Sequence, residues 1–443
     1  MITPRSRALA ILVLASVAIT ACSALEPQTL AFAEDDLDPA VIRVATADPT
    51  GLAEPLGEWD RNHPTVSLEL QVLDEDELRA LALFDPMAID PDEDANAEHP
   101  ETPDVVVFDA SWAPVVRAHA RMFLDLNLFG AEAWRSHSIE WRWDAGSVET
   151  AQVGLPLDAG GLALAWRADL VGSDLNASLS ALDSWCALID AGDRYADDSG
   201  NAFLPEVSSL FTTVVEQSNL GFRDGEARSH ESDPSVRHAW DLAMRALGED
   251  ALFEDPCPEL DDVQRIASTI VPGSTEWATA IVDGLVAAQL VSSHDLLDLE
   301  AESPVSARWR ATMAPGVIAP ERGRTLAIRA DTEAPALAWD LVATLVAPST
   351  QRRLHDMTGR IPAASSLLEP GALADSSVVD VAGTEFTTAL VASVNGRSTI
   401  VDDIESALIL REMSAAIELV AAGSQTPRDA WDEAVWRIGQ RLP

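Results

Sequence analysis

Asp48 and Asp109 each stand just past a short apolar segment, and Trp112 lies close behind the second of them. Asp158 sits in a stretch rich in Pro and Gly. Carboxylates accept hydrogen bonds from hydroxyl or ammonium donors, and an indole face covers an apolar ring face or a cation. Phe211 and His294 add a ring and a second polar ring from later in the chain. Arg324 and Arg411 would suit a carboxylate or phosphate if they reached the same place. Each residue also has a plain structural reading. Asp48 and Asp109 suit caps of turns or helices, and Trp112 and Phe211 suit a core. His294 suits an ordinary surface or core histidine, and the two arginines suit partners for surplus acids. Covalent and metal chemistry have little support. The chain has no G-x-S-x-G, H-E-x-x-H, Walker or G-x-G-x-x-G motif, and three Cys and eight His give no zinc spacing. Paired acids such as Asp402-Asp403 are expected by chance among 73 acidic residues. No enzyme activity, metal or cofactor is expected.

The elements that must position these residues alternate between strand and helix patterns. Val41 to Ala45 alternates and then stops at Asp48-Pro-Thr-Gly51, as a strand entering a loop does. Val66 to Val72 reads as a second strand and Asp74 to Phe84 as a helix; Asp85 to Thr102, rich in Asp, Glu and Pro, reads as a loose insertion. Pro103 to Asp109 reads as a buried parallel-type strand, with Ser111 as an N-cap after it. Ligands of open α/β sheets bind beyond the carboxyl ends of strands, where Asp48, Asp109 and Trp112 fall. Gly154 to Leu170 reads as a crossing: Pro156, Gly160 and Gly161 around Asp158, then the continuous apolar run Leu162 to Trp166 of a strand buried on both faces. The stretch would leave one lobe, cross the floor of a cleft and enter another, with a ligand above it near Asp158. Further on, Ser178–Ala196, Asp233–Leu247, Ala334–Val346 and Ile404–Ala422 read as helices, Thr275–Ser293 as a helix passing into a strand, and Pro304–Pro320 as loop. Arg324–Arg329 reads as a strand returning to the first lobe, and a last helix starts near Thr426-Pro427. Trp185, Trp240 and Trp339 sit at helical spacing among apolar residues and read as core.

At 443 residues the chain is long enough for two or three domains. It carries 73 acidic residues against 29 basic ones, all Arg, for a formal charge of −44. Such a surface repels nucleic acid and anionic lipid headgroups. Arg5 and Arg7 precede an apolar run from Ala8 to Ala21, too short for a membrane span, that ends Ile19-Thr-Ala-Cys22. That ending resembles the lipobox of bacterial lipoproteins, which implies cleavage before Cys22 and a diacylglycerol on its sulfur. The alternative is an ordinary secretory signal. The tail Ser23–Pro39 reads as a tether. Cys186 and Cys257 remain, either as a disulfide or as two buried thiols.

Five segments in order resemble the solute-binding proteins of carbohydrate ABC importers, the maltose-binding-like family. They are Pro103-Asp-Val-Val with Asp109, Trp112 and Leu124-Asp-Leu126; Gly154-Leu-Pro156 through Trp166-Arg-Ala-Asp-Leu170; Ser184-Trp185 with Leu188-Ile189 and Ala191-Gly192; Ala338-Trp-Asp-Leu341 with Pro348-Ser-Thr-Gln351 and Gly359-Arg-Ile-Pro362; and Ala422-Gly423 with Pro427 and Ala430. The resemblance implies an α/β fold of two Rossmann-like lobes with a hinge, of the periplasmic-binding-protein type II. It places the signal at 1–22, the tether at 23–37, lobe one at 38–155 plus 326–390 and lobe two at 156–325 plus 391–443. It implies a monomer, lipid-anchored through Cys22 on the extracellular face of the cytoplasmic membrane, that hands a small solute, a sugar or polyol, to an ABC permease. The chain departs from the family at Arg324-Thr325, where glycines are common, and at His294, Leu410 and Arg411, where aromatics are common. Two further readings stay open: a binder of a cationic solute such as a polyamine, and a lipoprotein of this fold that has left transport for sensing or interaction.

Overall fold

The computed structural model describes residues 41–84, 102–217, 233–293, 295, 299, 301–304, 308–316, 323–376, 384–395 and 404–441. The lipobox, nearly all of the acidic insertion and His294 lie outside the described residues.

The first sheet begins as the alternation predicts. Strand β1 (Val41–Thr46), helix α1 (Ala53–Asn62), strand β2 (Ser67–Val72), helix α2 (Glu75–Ala82) and strand β3 (Val105–Asp109) follow in order. Strand β1 pairs in parallel with β2 on one side and β3 on the other. Asp74 and Glu77 form a reciprocal capping box at the start of α2, which fixes where that helix begins. Strand β2 is the sheet edge, so its alternation survives but little of it is buried. After β3 the expected cap at Ser111 is instead supplied by Asp109, whose carboxylate accepts the Ser111 amide at 2.8 Å. A 3₁₀ turn and helix α3 (Ala113–Ala118) follow.

The crossing comes next. Helix α4 (Glu140–Ala145) and the hairpin β4 (Ser147–Val148) with β5 (Ala151–Gln152) lead into β6 (Leu155–Pro156), β7 (Asp158–Ala159) and β8 (Leu162–Arg167). These last three short strands belong to three different sheets. Gly161, between β7 and β8, has φ +113°, and a Cβ there would press on Leu390 and Val394. All six residues of β8 are buried, as a continuous apolar run requires.

Helices α5 (Ser173–Ser180), α6 (Trp185–Ser199), α7 (Ser208–Gln217), α8 (Pro234–Ala246) and α9 (Thr275–Asp283) then lead to strand β9 (Ala288–Ser292). The helix expected over 178–196 is thus two helices, because Ser184 caps a new start by accepting the Ala187 amide. The region 304–320, read as loop, contains strand β10 (Trp309–Met313). Strands β9 and β10 flank β8 in a second, antiparallel sheet.

Strand β11 (Arg324–Ile328) returns to the first sheet, antiparallel to β3 and β6. Helices α10 (Pro335–Val346) and α11 (Pro348–Thr358) follow, then β12 (Ile361–Pro362), which pairs with β7 beneath the crossing. Helix α12 (Thr384–Asn395) packs on β8 and β10, so the boundary expected at 390 falls within a helix of the second sheet. Helices α13 (Ile404–Ala421) and α14 (Pro427–Arg441) pack on each other, and Pro427 holds the first helical position of α14.

Two large cores answer to the two sheets. One gathers Val44, Val105, Trp59 and Trp339 about the first sheet; the other gathers Trp166, Trp185, Phe203 and Trp240 about the second. Cys186 and Cys257 are bonded, tying α6 to the segment after α8.

Candidate functional site

The structure brings Asp48, Asp158 and Arg324 together, at the end of the first sheet from which the chain crosses. Asp158 is buried and its carboxylate receives the Arg324 amide at 2.6 Å and the Arg324 guanidinium at 2.7 and 2.8 Å. Arg324 also donates to the Thr50 carbonyl at 2.7 Å. Arg360, just before β12, pairs with Asp48 and lies 3.9 Å from Asp158. Arg142 of α4 donates to the Asp158 carbonyl and to the Arg324 carbonyl, at 3.1 and 2.8 Å. Burial alone would raise the Asp48 pKa, but Arg360, the Thr50 hydrogen bonds and Arg324 together hold it below the ordinary carboxylate value. These groups therefore fasten the crossing strands to the first sheet, and both carboxylates are engaged by arginine.

The remaining singled-out residues are dispersed. Asp109 caps the turn after β3. Trp112 is 1% exposed, stacks on Phe108 at 5.8 Å and donates its indole hydrogen to Glu75. Phe211 lies wholly in the second core. Arg411 is exposed and pairs with Glu412, which Arg437 and Arg441 also reach.

The second sheet carries a cavity of about 470 Å³, within the ~300–1,000 Å³ range of small-molecule sites. It opens beside Leu162 and Ser292, paired at the end of the sheet where the chain arrives from the first lobe. Four pieces of chain form the rest of it. Glu206, just before α7, and Ser208, Ser209 and Thr213 on it give one wall; the segment Ser268–Pro272 gives a second; β9 gives Gln289 and Leu290, with Asp295 beyond; the end of α13 gives Glu418 and Ala421. The second wall is held in place by backbone hydrogen bonds from Ser268 and Ile270 to Leu204 and Pro205, at 3.0 and 2.9 Å. Arg265 fastens it to the end of α13 through the Ala421 carbonyl at 2.6 Å. Among the described residues neither an arginine nor an aromatic side chain lines it.

Glu206 caps α7: its carboxylate accepts the Ser209 amide at 3.1 Å and the hydroxyls of Ser208 and Ser209. Its pKa is raised, chiefly by burial and further by the charge of Glu418, against the opposing hydrogen bonds. No earlier signal singled it out, because one acid among 73 has no special weight. Its place just before a Ser-Ser pair and an apolar run was the available cue for a helix start.

Two hinged α/β halves, a crossing clamped by charge and a polar cavity at the crossing end define a two-lobed binding protein. The profile of the bacterial extracellular solute-binding proteins matches residues 92–378. The chain belongs to that family, whose members bind substrates for ABC transporters. No curated protein sequence matches it. Solved structures share its fold at low identity. A family 1 extracellular solute-binding protein superposes with a TM-score of 0.71 at 18% identity, over 91% of this chain and 99% of that one. The galacto-N-biose-/lacto-N-biose I-binding protein of Bifidobacterium longum, in complex with lacto-N-biose, gives 0.67 at 14%, over 91% and 96%. An ABC substrate-binding protein of Listeria monocytogenes, in complex with cycloalternan, gives 0.66 at 14%, over 91% and 99%.

Two outcomes are expected from this site. Asp158→Ala strands the Arg324 and Arg360 guanidiniums in a buried setting and should cost about 3–5 kcal/mol in urea unfolding. The double variant Asp158→Leu/Arg324→Met, which removes both signs, should lose less. For Glu206 the sign runs the other way. A carboxyl whose folded pKa lies above its ordinary 4.5 makes folding less favourable as pH rises from that value to the raised one. Glu206→Gln should therefore melt higher than the parent near neutrality and converge with it in acid, read by thermal unfolding at both pH values.

Proposed function

We propose that this protein captures a small sugar or polyol in the second-lobe cavity and hands it to a membrane-embedded ABC permease, with no chemistry of its own. The cavity is the observation that carries this reading: hydroxyls, an amide and carboxylates arranged around a space of small-molecule size. Sugar hydroxyls both donate and accept, and such a lining meets both needs. The two named neighbours with bound saccharides agree with it. We assign lobe one to about 38–155 with 324–376 and lobe two to about 156–316 with 384–441. Closure about the β6–β8 crossing and its β12 partner brings lobe one over the solute. Asp48, the most exposed member of the ion network, stands at the facing end of the first sheet.

The mature chain then sits on the outer face of the cytoplasmic membrane, held by lipid on Cys22. The lipobox-like Ile19-Thr-Ala-Cys22 supports that anchor. After cleavage the chain has 27 arginines against 73 acids, a formal charge of −46 that keeps the body off an anionic bilayer.

Thermal shift of the ligand-free mature domain against mono- and oligosaccharides and polyols tests the capture. A solute at a hundredfold its Kd should stabilise by about 2.7 kcal/mol. Thr213→Val should weaken the same solute about tenfold, as for one lost buried hydrogen bond. A flat response to every sugar and polyol sinks the proposal. For the anchor, Cys22→Ala expressed in a bacterial host should release the protein from the membrane fraction, and retention would argue against lipidation.

A further inference from the structure

Among the described residues the cavity walls carry three carboxyl groups, Glu206, Asp295 and Glu418, and no cationic side chain. Asp295 is engaged by the Ser292 amide at 3.1 Å and the Ser292 hydroxyl at 2.7 Å. Glu206 and Glu418 are different. Among the described residues Glu206 meets only Ser208 and Ser209 donors; Glu418 lines the same cavity, exposed to solvent, and its charge bears on Glu206. A neutral hydroxyl placed there would give an acceptor its hydrogen bond but leave the like-charge repulsion in place. An ammonium group would cancel the repulsion and make charge-assisted hydrogen bonds as well.

Two buried polar groups in the same walls ask for something else. Thr213 is 2% exposed, and its hydroxyl has no hydrogen-bond partner among the described residues. Gln289 is 3% exposed; its Oε1 accepts the Trp277 indole at 2.7 Å, and its Nε2 has no partner among the described residues. The Gln289 Nε2 hydrogens require an acceptor, which a plain polyamine, all donors when protonated, does not offer. Ring and hydroxyl oxygens of a sugar do. Val207, Val271 and Pro272 leave an apolar strip that suits the C–H face of such a ring.

We infer that the solute is an amine-bearing carbohydrate, a hexosamine or a short oligosaccharide of hexosamines. Its ammonium lies between Glu206 and Glu418, and its oxygens pair with Thr213 and Gln289. The inference rests on the reading of this cavity as the solute site.

Isothermal titration just below neutral pH, where a hexosamine is protonated, tests it. The titrants are glucosamine, galactosamine, mannosamine and their disaccharides, each beside its N-acetylated and its neutral hydroxyl counterpart, with spermidine as a separate arm. At least one amine-bearing sugar should bind about tenfold or more tightly than both counterparts, with an advantage that shrinks as salt is raised. Glu206→Gln should collapse that ratio toward one. Equal or tighter binding of the N-acetylated or neutral sugar overturns the inference and leaves sugar capture standing. Binding of spermidine without any sugar overturns it in favour of a plain polyamine. Binding of nothing in the panel overturns both this inference and the reading of the cavity.

Discussion

The pairing of Asp158 with Arg324 is the contact on which the arrangement of the two halves depends. Asp158 lies in the two-residue strand that joins one sheet to the other, and Arg324 opens the strand that returns. A two-residue strand has too few backbone hydrogen bonds to hold its own place. The ion pair, backed by Arg360, Arg142 and Asp48, supplies the missing constraint inside a buried floor. Burying charge is expensive, so these groups are tolerated only because each meets a partner. The result is a crossing fastened at its first-sheet end before the chain enters the buried strand β8.

Arginine does this work throughout the molecule, in a chain without lysine. Arg329 is fully buried and caps the end of α2 through the Ala82 and Phe84 carbonyls while pairing with Asp331. Arg167 forks onto Asp169, whose carboxyl is held down to about 2 by that hydrogen bond above all. In each case a planar guanidinium satisfies several acceptors at once, which a lysine ammonium does less well. The surplus of acid on the surface therefore coexists with an interior in which Arg167, Arg324 and Arg329 each pair with a carboxylate. The cavity is the exception, with carboxylates and no guanidinium among its described lining residues.

That exception divides the molecule by role. The first lobe uses its charged residues to hold the crossing, and the second uses its charged residues to line a space. Glu206 belongs to both worlds: it caps α7 and lines the cavity, and its burial raises its pKa, which makes its charged form costly. The disulfide from Cys186 to Cys257 and the capping of backbone amides at Leu252 to Glu254 by Asp241 steady the long segment that ends in the cavity's second wall.

The sequence by itself determined the elements and the crossing. Alternation marked β1 and β2, a continuous apolar run marked β8, and Pro and Gly around Asp158 marked the passage between bodies, because these are local effects of side-chain period and backbone freedom. The order of motifs led to the right family. Tertiary structure alone decided what the singled-out residues do. Asp158 meets Arg324 across 166 positions, and Trp112 turns into the core although its place past a strand end suits either role. Strand β10 was hidden because its half-buried residues among prolines carry no clear period; only its pairing with β8 makes it a strand. The cavity was hidden for the same reason at larger scale: its walls come from five distant pieces of chain, and no spacing along a sequence records which acids line one space once those pieces are packed together.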